Sequence, residues 1–428
     1  MKVAIYTLGC KVNQYETQAM EQELTRRGHA LVDFEETADA YIINTCSVTA
    51  VSDKKSRQMI RRARKRNPHA VVSACGCYVQ THTQEAASLG IDLIAGTGDR
   101  MAFLDLLEQA AAEHAPMQLV DDAFKRRQFE VLPAGGMAAR TRAMLKVEDG
   151  CVNFCTYCII PYARGGVRSL PMEIAVAQTK QLHREGYREI VITGIEISSY
   201  GHDFKDGTTL IDLLEAISEA AGDMRLRLGS LEPRTITEDF CQRACKLPRL
   251  CPHFHLSMQS GCDATLKRMN RKYDTARFYE SVRLLREYFD HPAITTDLIT
   301  GFPGETEEEF SQTLAFIEKC VFADMHIFPY SIRPGTPAAK MAQVPGPIKD
   351  ERAHRAGEVA AKMHRAYLAD CVGHTYPVLF EQSSDGKTRG HAPNYMEVEV
   401  AQDGLHNQVL PVTVTGVEND ILWGEVRE

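Results

Sequence analysis

Cys151-Val-Asn-Phe-Cys155-Thr-Tyr-Cys158 is the stretch from which the rest of this chain can be read outward. Three thiols at C-x3-C-x2-C spacing on one short loop can hold three irons of a [4Fe–4S] cluster and leave the fourth iron without a protein ligand. The competing reading is zinc, but a structural zinc site wants four ligands, and no fourth cysteine or histidine lies close by in sequence. The loop follows a β-rich run, Ala143–Val147, which opens a series. Glu189–Thr193, Arg225–Gly229, Phe254–Met258, Ile294–Thr300 and Met325–Pro329 repeat it, with helix-like stretches between. Six such units predict a full or partial (β/α) barrel, whose chemistry sits at the C-terminal strand ends. Those ends carry the Cys151 loop, Gly194-Ile-Glu196, Ser230-Leu-Glu232, Gln259-Ser-Gly261, Gly301-Phe-Pro-Gly-Glu305, and Tyr330-Ser331 leading to Gly335-Thr-Pro337.

Upstream, the runs Val3–Leu8, Ala40–Asn44 and Ala70–Ala74 alternate with helical composition, as in a parallel α/β layer. Each is followed by a cysteine: Cys10, Cys46, and Cys77 with Cys75 beside it. Ligands in open α/β sheets bind outside the carboxyl ends of the strands, so three thiols can meet at one edge. A fourth run, Ile91–Ala95, precedes a helix over Met101–Glu113, and Pro116 to Gly136 reads as a linker punctuated by Pro and Gly. Downstream, a helix over about Ala353 to Asp370 gives way to Tyr376–Phe380, Met396–Val400, Val409–Thr415 and Leu422–Val426, the spacing of a small β-barrel.

Composition narrows the class. At 428 residues the chain suits two or three domains. With 44% apolar and 25% charged residues it is neither disordered nor a membrane protein, and no apolar run reaches a spanning length. Polar Lys11, Asn13 and Gln14 interrupt any secretory core near the start, so a cytoplasmic protein is expected. Thirteen cysteines in a reducing compartment point to metal or redox chemistry rather than disulfides. The net charge of −8 confines any nucleic-acid contact to a local patch.

The Cys151, Cys155 and Cys158 loop at the mouth of a barrel resembles the radical S-adenosylmethionine (SAM) superfamily. The resemblance implies that SAM chelates the open iron and is cleaved to a deoxyadenosyl radical. Tyr157 matches the aromatic that the family places near adenine. Gly194 would let the backbone approach the methionine moiety, and Glu196 can accept from its ammonium. Ser230 and Glu232 suit a ribose, and Gln259 can donate and accept at a polar ligand edge. Gly301-Phe-Pro-Gly-Glu-Thr306 resembles the family's GFPGET turn and is read as structural, with Thr306 capping the Glu307–Cys320 helix. Thr7-Leu-Gly-Cys10-Lys-Val-Asn-Gln-Tyr-Glu-Thr17, Asn44-Thr-Cys46-Ser-Val-Thr49 and Gly76-Cys77-Tyr78 together resemble the amino-terminal domain of methylthiotransferases. That likeness implies a second [4Fe–4S] cluster on Cys10, Cys46 and Cys77, which delivers sulfur. Cys75, about 6–7 Å away along the strand end, is read as a bystander. Cys241, Cys245, Cys251, Cys262, Cys320 and Cys371 are read as packed thiols.

The fold class is therefore α/β: a Rossmann-like domain over 1–133, a partial (β/α)6 radical SAM barrel over 134–368, and a small TRAM-like RNA-binding β-barrel over 369–428. Gly390-His-Ala-Pro-Asn-Tyr395 carries the TRAM resemblance, making Arg389, His391, Asn394 and Tyr395 candidate RNA contacts, with Tyr395 equally readable as a core residue. Lys54, Lys55, Arg57, Arg61 and Arg62, in a basic run that ends at Arg66, are candidate phosphate contacts. The opening motif resembles most closely the branch acting on N6-threonylcarbamoyladenosine beside the tRNA anticodon, at position 37. Relatives act on N6-isopentenyladenosine or on a ribosomal protein, and a non-catalytic RNA-binding iron–sulfur protein is the reading from another class. The implied partners are the tRNA anticodon stem-loop, an electron donor and a sulfur source, with no membrane. One departure stands out: Leu170 occupies a position where the family usually has arginine, which puts a phosphate or cofactor contact there in question.

Overall fold

The computed structural model describes residues 1–113, 115–136 and 140–427. Its first layer is a six-stranded parallel sheet of β1 (Lys2–Thr7), β2 (Ala30–Val32), β3 (Ala40–Thr45), β4 (Val71–Gly76), β5 (Leu93–Ala95) and β6 (Met117–Leu119), ordered β2-β1-β3-β4-β5-β6. Central β3 and β4 are buried along their whole length, as expected for strands covered on both faces. Ala4, Tyr41, Ile43 and Val72 pack on one face with Met59 and Ile60 of the Ala50–Arg66 helix. Val3, Ile42 and Leu93 pack on the other with Phe103, Leu104 and Leu107 of the Arg100–Glu113 helix. The Pro116 to Gly136 stretch is not only a linker: Met117–Leu119 adds the sheet's edge strand, pairing Ile94 with Gln118. Three residues are too few for alternation to register.

The central region holds six longer strands, β7 (Arg142–Lys146), β10 (Glu189–Thr193), β11 (Arg225–Leu228), β12 (His253–Gln259), β13 (Ala293–Thr300) and β14 (Asp324–Pro329), with the short pair β8 (Glu148–Asp149) and β9 (Arg168–Ser169) near the cysteine loop. They form two parallel three-stranded sheets, β11-β10-β7 and β12-β13-β14, and the Leu231 to Leu256 bridge links them into an open half-barrel. Period-2 alternation sorts the side chains. Leu145, Ile190, Ile192, Leu226, Phe254 and Leu256 join the core under the helices. Arg142, Glu189, Arg227, His253 and Asp297 alternate with them and face the opposite side, the barrel interior. Thr306 accepts the Glu309 N–H while Glu309 accepts that of Thr306, a capping box that starts the Glu307–Cys320 helix as expected.

Helix Gly346–Asp370 leads into a closed barrel of β15 (Thr375–Ser384), β16 (Lys387–His391), β17 (Glu397–Val400), β18 (Val409–Glu418) and β19 (Ile421–Val426), the architecture expected of a TRAM domain. Val378, Phe380, Val398, Val412, Val414 and Leu422 fill it. Sequence patterning missed β16, whose Lys-Thr-Arg-Gly-His carries no apolar alternation. Gly390 is required there because a Cβ would fall 2.1 Å from the Leu379 carbonyl oxygen. No described helix is long and apolar enough to cross a membrane.

Candidate active site

Each amino-terminal thiol leaves the same edge of the sheet. Cys10 stands exposed at the start of the Lys11–Arg26 helix, Cys46 is buried just after β3, and Cys77 opens the short Cys77–Thr81 helix directly off β4. Gly76 makes that last turn possible, with φ +99° and no room for a Cβ, which would lie 2.5 Å from the Thr45 carbonyl oxygen. The β1 and β3 ends are equally close, since a Cβ on Gly9 would sit 3.2 Å from Cys46 Sγ. Burial pushes the Cys77 thiol up to about 12, with the charges of Cys46 and Cys10 adding to the rise and Arg164 opposing it. Cys75 is buried on the other face of the sheet, in the cluster of Val3, Ile42 and Leu93, away from this group.

The barrel trio is held by its loop. Cys151 N–H donates to the Gly165 carbonyl, Thr156 N–H to that of Met269 (3.0 Å each), and Asn270 Nδ2 to that of Phe154 (2.9 Å). Arg271 donates to Cys155 Sγ at 3.3 Å and to the Ser257 carbonyl at 3.0 Å, fixing a cation beside the thiols. Sequence reading passed over Arg271, because Cys155 and Ser257 lie 116 and 14 residues away in the chain. Burial pushes the Cys158 thiol up to about 12, and the charges of Cys155 and, from the facing domain, Cys77 add to the rise. The Cys77–Thr81 helix packs against the Ile160–Arg164 helix that follows the Cys151 loop, bringing the two trios to one side of the domain seam, and three thiols per group fit a cluster with one open iron.

A buried ionic hub keeps the two trios opposed. Glu16, fully buried, pairs with Arg100 at 2.7 Å within its own domain, and with Lys146 (3.1 Å) and Arg164 of the barrel. Burial alone would raise the Glu16 carboxyl, but Arg100, Arg164 and Lys146 together hold it well below the usual carboxylate range. Asp149 bonds Lys146 at 2.7 Å. Across the same seam Arg333 reaches Asp53 (2.8 Å) and Ser47 Oγ (2.6 Å), and Thr97 Oγ1 donates to the Ala163 carbonyl (2.6 Å).

Beside the Cys151 loop, Glu196 is pushed up to about 7 by burial, and its Oε1 is buried with no hydrogen-bond partner among the described residues. An orphaned carboxylate oxygen at that place fits the ammonium of a SAM-like ligand. Burial raises the Glu148 carboxyl well above the usual range, and its Oε2 accepts the Glu196 N–H at 2.6 Å. Gly194 is needed to admit this carboxyl, since a Cβ there would lie 2.9 Å from Glu148 Oε2. Tyr157 meets Phe302 of the GFPGET turn edge-on, ring centroids 6.3 Å apart. Gln259 closes β12 in the left-handed region at φ +67°, and Ser230 is exposed. Glu232 is already engaged: it caps the Pro233–Thr235 turn and accepts from Arg234 at 2.9 Å. Leu170 is buried in the barrel core beneath Tyr200, so no phosphate or cofactor contact belongs to that position.

The candidate RNA residues divide. Lys54, Lys55 and Arg61 are exposed. Arg57 is drawn to Glu85 (3.2 Å) and Tyr78, and Arg62 to Glu35 (2.6 Å). Arg389 pairs with Glu399, leaving its side chain half exposed. Asn394 is corrected from an RNA contact to a structural residue: it is 1% exposed and donates to Tyr367 Oη and Cys371 Sγ. Tyr395 turns inward at φ +70°, its ring against the guanidinium of Arg227 (4.6 Å) and the rings of His391 and His253 (4.9 and 5.0 Å). It walls a cavity of about 720 Å³ between the Lys11–Arg26 helix, the half-barrel interior and the terminal barrel.

The radical SAM superfamily matches residues 145–317, and an uncharacterized protein family, UPF0004, matches residues 2–96. Threonylcarbamoyladenosine tRNA methylthiotransferase MtaB of Bacillus subtilis is 41% identical over 403 residues, covering 92% of this chain and 89% of that protein. Its namesake from Thermotoga maritima is 39% identical over 409 residues, with coverage of 95% and 92%. A tRNA-2-methylthio-N(6)-dimethylallyladenosine synthase from Acetivibrio thermocellus is 34% identical over 438 residues, with coverage of 98% and 90%. Among solved structures, the radical S-adenosylmethionine methyltransferase TsrM from Kitasatospora setae shares the fold, with a TM-score of 0.59 at 13% identity over 90% of this chain and 79% of that one. Fold and cysteine loop thus define a radical SAM protein, with the [4Fe–4S] cluster and SAM that this class implies. More narrowly, the chain belongs to the radical SAM methylthiotransferase family.

Proposed function

We propose that this chain replaces the C2 hydrogen of N6-threonylcarbamoyladenosine at tRNA position 37 with a methylthio group. The observation that carries the reading is the packing of the Cys77–Thr81 helix against the Ile160–Arg164 helix that follows the Cys151 loop, which sets one thiol trio beside the other. Radical attack on an unactivated C–H bond and sulfur delivery to the same carbon must share one pocket. When bound, two [4Fe–4S] clusters and SAM would supply the sulfur, the methyl group and the hydrogen-abstracting radical; an electron donor and a sulfur source must replenish them.

The chain's own residues hold and orient. Cys10, Cys46 and Cys77 would ligate the sulfur-delivering cluster, and Cys151, Cys155 and Cys158 the SAM-binding one. Glu196 would accept from the methionyl ammonium, and Tyr157, Gly194, Ser230 and Gln259 would line the rest of that ligand, with Glu232 acting through Arg234. The Glu16 hub keeps the trios in register and excludes water from the seam. Lys54, Lys55, Arg61 and Arg389 would meet RNA phosphates. Relatives named for threonylcarbamoyladenosine in tRNA support this choice of nucleoside.

The test is anaerobic reconstitution, reduction, and incubation with SAM and tRNA carrying N6-threonylcarbamoyladenosine or N6-isopentenyladenosine, with nucleosides read by mass spectrometry. The expected result is a methylthio gain on the first alone. Gain only on the second assigns the chain to the other branch, and no deoxyadenosine from either refutes the enzyme reading.

A further inference from the structure

The 720 Å³ cavity is lined by Lys11 and Gln14 from the helix that Cys10 precedes, and its lining carries more cations than carboxylates. Its cations differ in one respect. Arg142 is neutralised by Glu381 at 2.6 Å and Arg227 by Glu189 at 2.7 Å. Lys11, exposed at the cavity wall, has no ion-pair or hydrogen-bond partner among the described residues. An ammonium placed among guanidiniums in a confined space, with no counter-ion of its own, is a receptor for an anion. Lys11 directly follows Cys10 at the start of the Lys11–Arg26 helix, so the residue after a proposed sulfur-delivering ligand lines this cavity. A purine whose C2 faces that ligand carries its N6 substituent away across the ring edge.

We infer that Lys11, in the cavity shared with Arg142, Arg227 and Tyr395, binds the carboxylate of the N6-threonylcarbamoyl group and selects that nucleoside over one bearing an apolar substituent. This rests on the proposed methylthiotransferase reading and deepens it. The threonylcarbamoyl group ends in a carboxylate and a hydroxyl, whereas a dimethylallyl group offers only carbon. Placing that carbon against an ammonium would strip water from the charge and return nothing. A site built to bond a polar group discriminates strongly against the analogue that lacks it. The anion could instead be an RNA phosphate, which every anticodon stem-loop carries.

The experiment compares binding of three synthetic anticodon stem-loops to the reconstituted holoenzyme: one with adenosine at position 37, one with N6-threonylcarbamoyladenosine, and one with its methyl ester. The wild-type protein is expected to prefer the free acid over both others by about tenfold or more, as for a charge-assisted hydrogen bond. Lys11→Met should erase the preference, and Lys11→Arg should restore part of it. Iron content of each variant checks that the neighbouring Cys10 still ligates. Equal binding of acid and ester by the wild-type protein overturns the inference without using any variant. Equal loss of all three stem-loops in Lys11→Met overturns it in favour of a phosphate contact. If neither nucleoside is methylthiolated while deoxyadenosine forms, the functional reading fails instead, and the binding data stand apart from that failure.

Discussion

Replacing Glu16 with glutamine is expected to loosen the seam between the two cysteine-bearing domains. The substitution keeps the shape and removes one charge from a site where Arg100, Arg164 and Lys146 are each at most 1% exposed. Asp149 then remains for Lys146 and Arg164, while Arg100 loses its ion-pair partner. Breaking a buried pair by removing one partner costs about 3–5 kcal/mol, because an uncompensated charge stays inside. With a urea slope of about 2–3 kcal/mol per molar, the far-ultraviolet dichroism midpoint should fall by roughly 1–2.5 M. The single tryptophan, Trp423, lies in the terminal barrel, so its fluorescence transition should not move and serves as an internal control. Glu16→Gln with Arg100→Met should recover part of the loss by removing the orphaned cation. The sign with pH follows from the direction of the shift. The folded carboxyl is depressed below its unfolded value of about 4.3, so its contribution is full above that value and drains away as pH falls through the folded value. The gap between wild type and Glu16→Gln should therefore be constant from neutral pH down to about 5 and narrow below about 4. A midpoint within the error of wild type at neutral pH would show that the hub does not hold the seam.

Three further outcomes are expected. Gly76→Ala should displace Cys77 and about halve the reconstituted iron if each trio holds a cluster, whereas Cys75→Ser should keep it, both read by iron and sulfide analysis. Arg271→Lys should lose the bond to Cys155 Sγ, lower activity by about 10–100-fold and make the barrel cluster harder to reduce, as measured by potentiometric titration. Asn394→Ala should cost about 1–3 kcal/mol, lowering the Trp423 transition while leaving RNA affinity unchanged at a temperature where both proteins are folded.

What the sequence made legible follows range of interaction. Strands such as Ala40–Thr45 and Arg142–Lys146 are announced by local β-rich runs, and the cysteines that follow them by spacing. The convergence of Cys10, Cys46 and Cys77 was readable because parallel strands bring their carboxyl ends to one side whatever the loop lengths. Glu16 with Arg164, and Arg271 with Cys155, were not readable. Those pairs span 148 and 116 residues, and neither periodicity nor a motif links their members. Tyr395 shows the same limit from the other direction. The motif left it open between an RNA contact and a core residue, and its ring in fact lies against the Arg227 guanidinium, with its backbone in the left-handed region.

That inward ring changes what the terminal barrel is. A tail that lends a wall to an interior chamber cannot be exchanged like a handle. A chimaera carrying another relative's last sixty or so residues would alter its grip on RNA and reshape the chamber beside Lys11 in one operation. Swapping experiments that credit a change of preferred nucleoside to the tail's outer surface would be reading the wrong side of it.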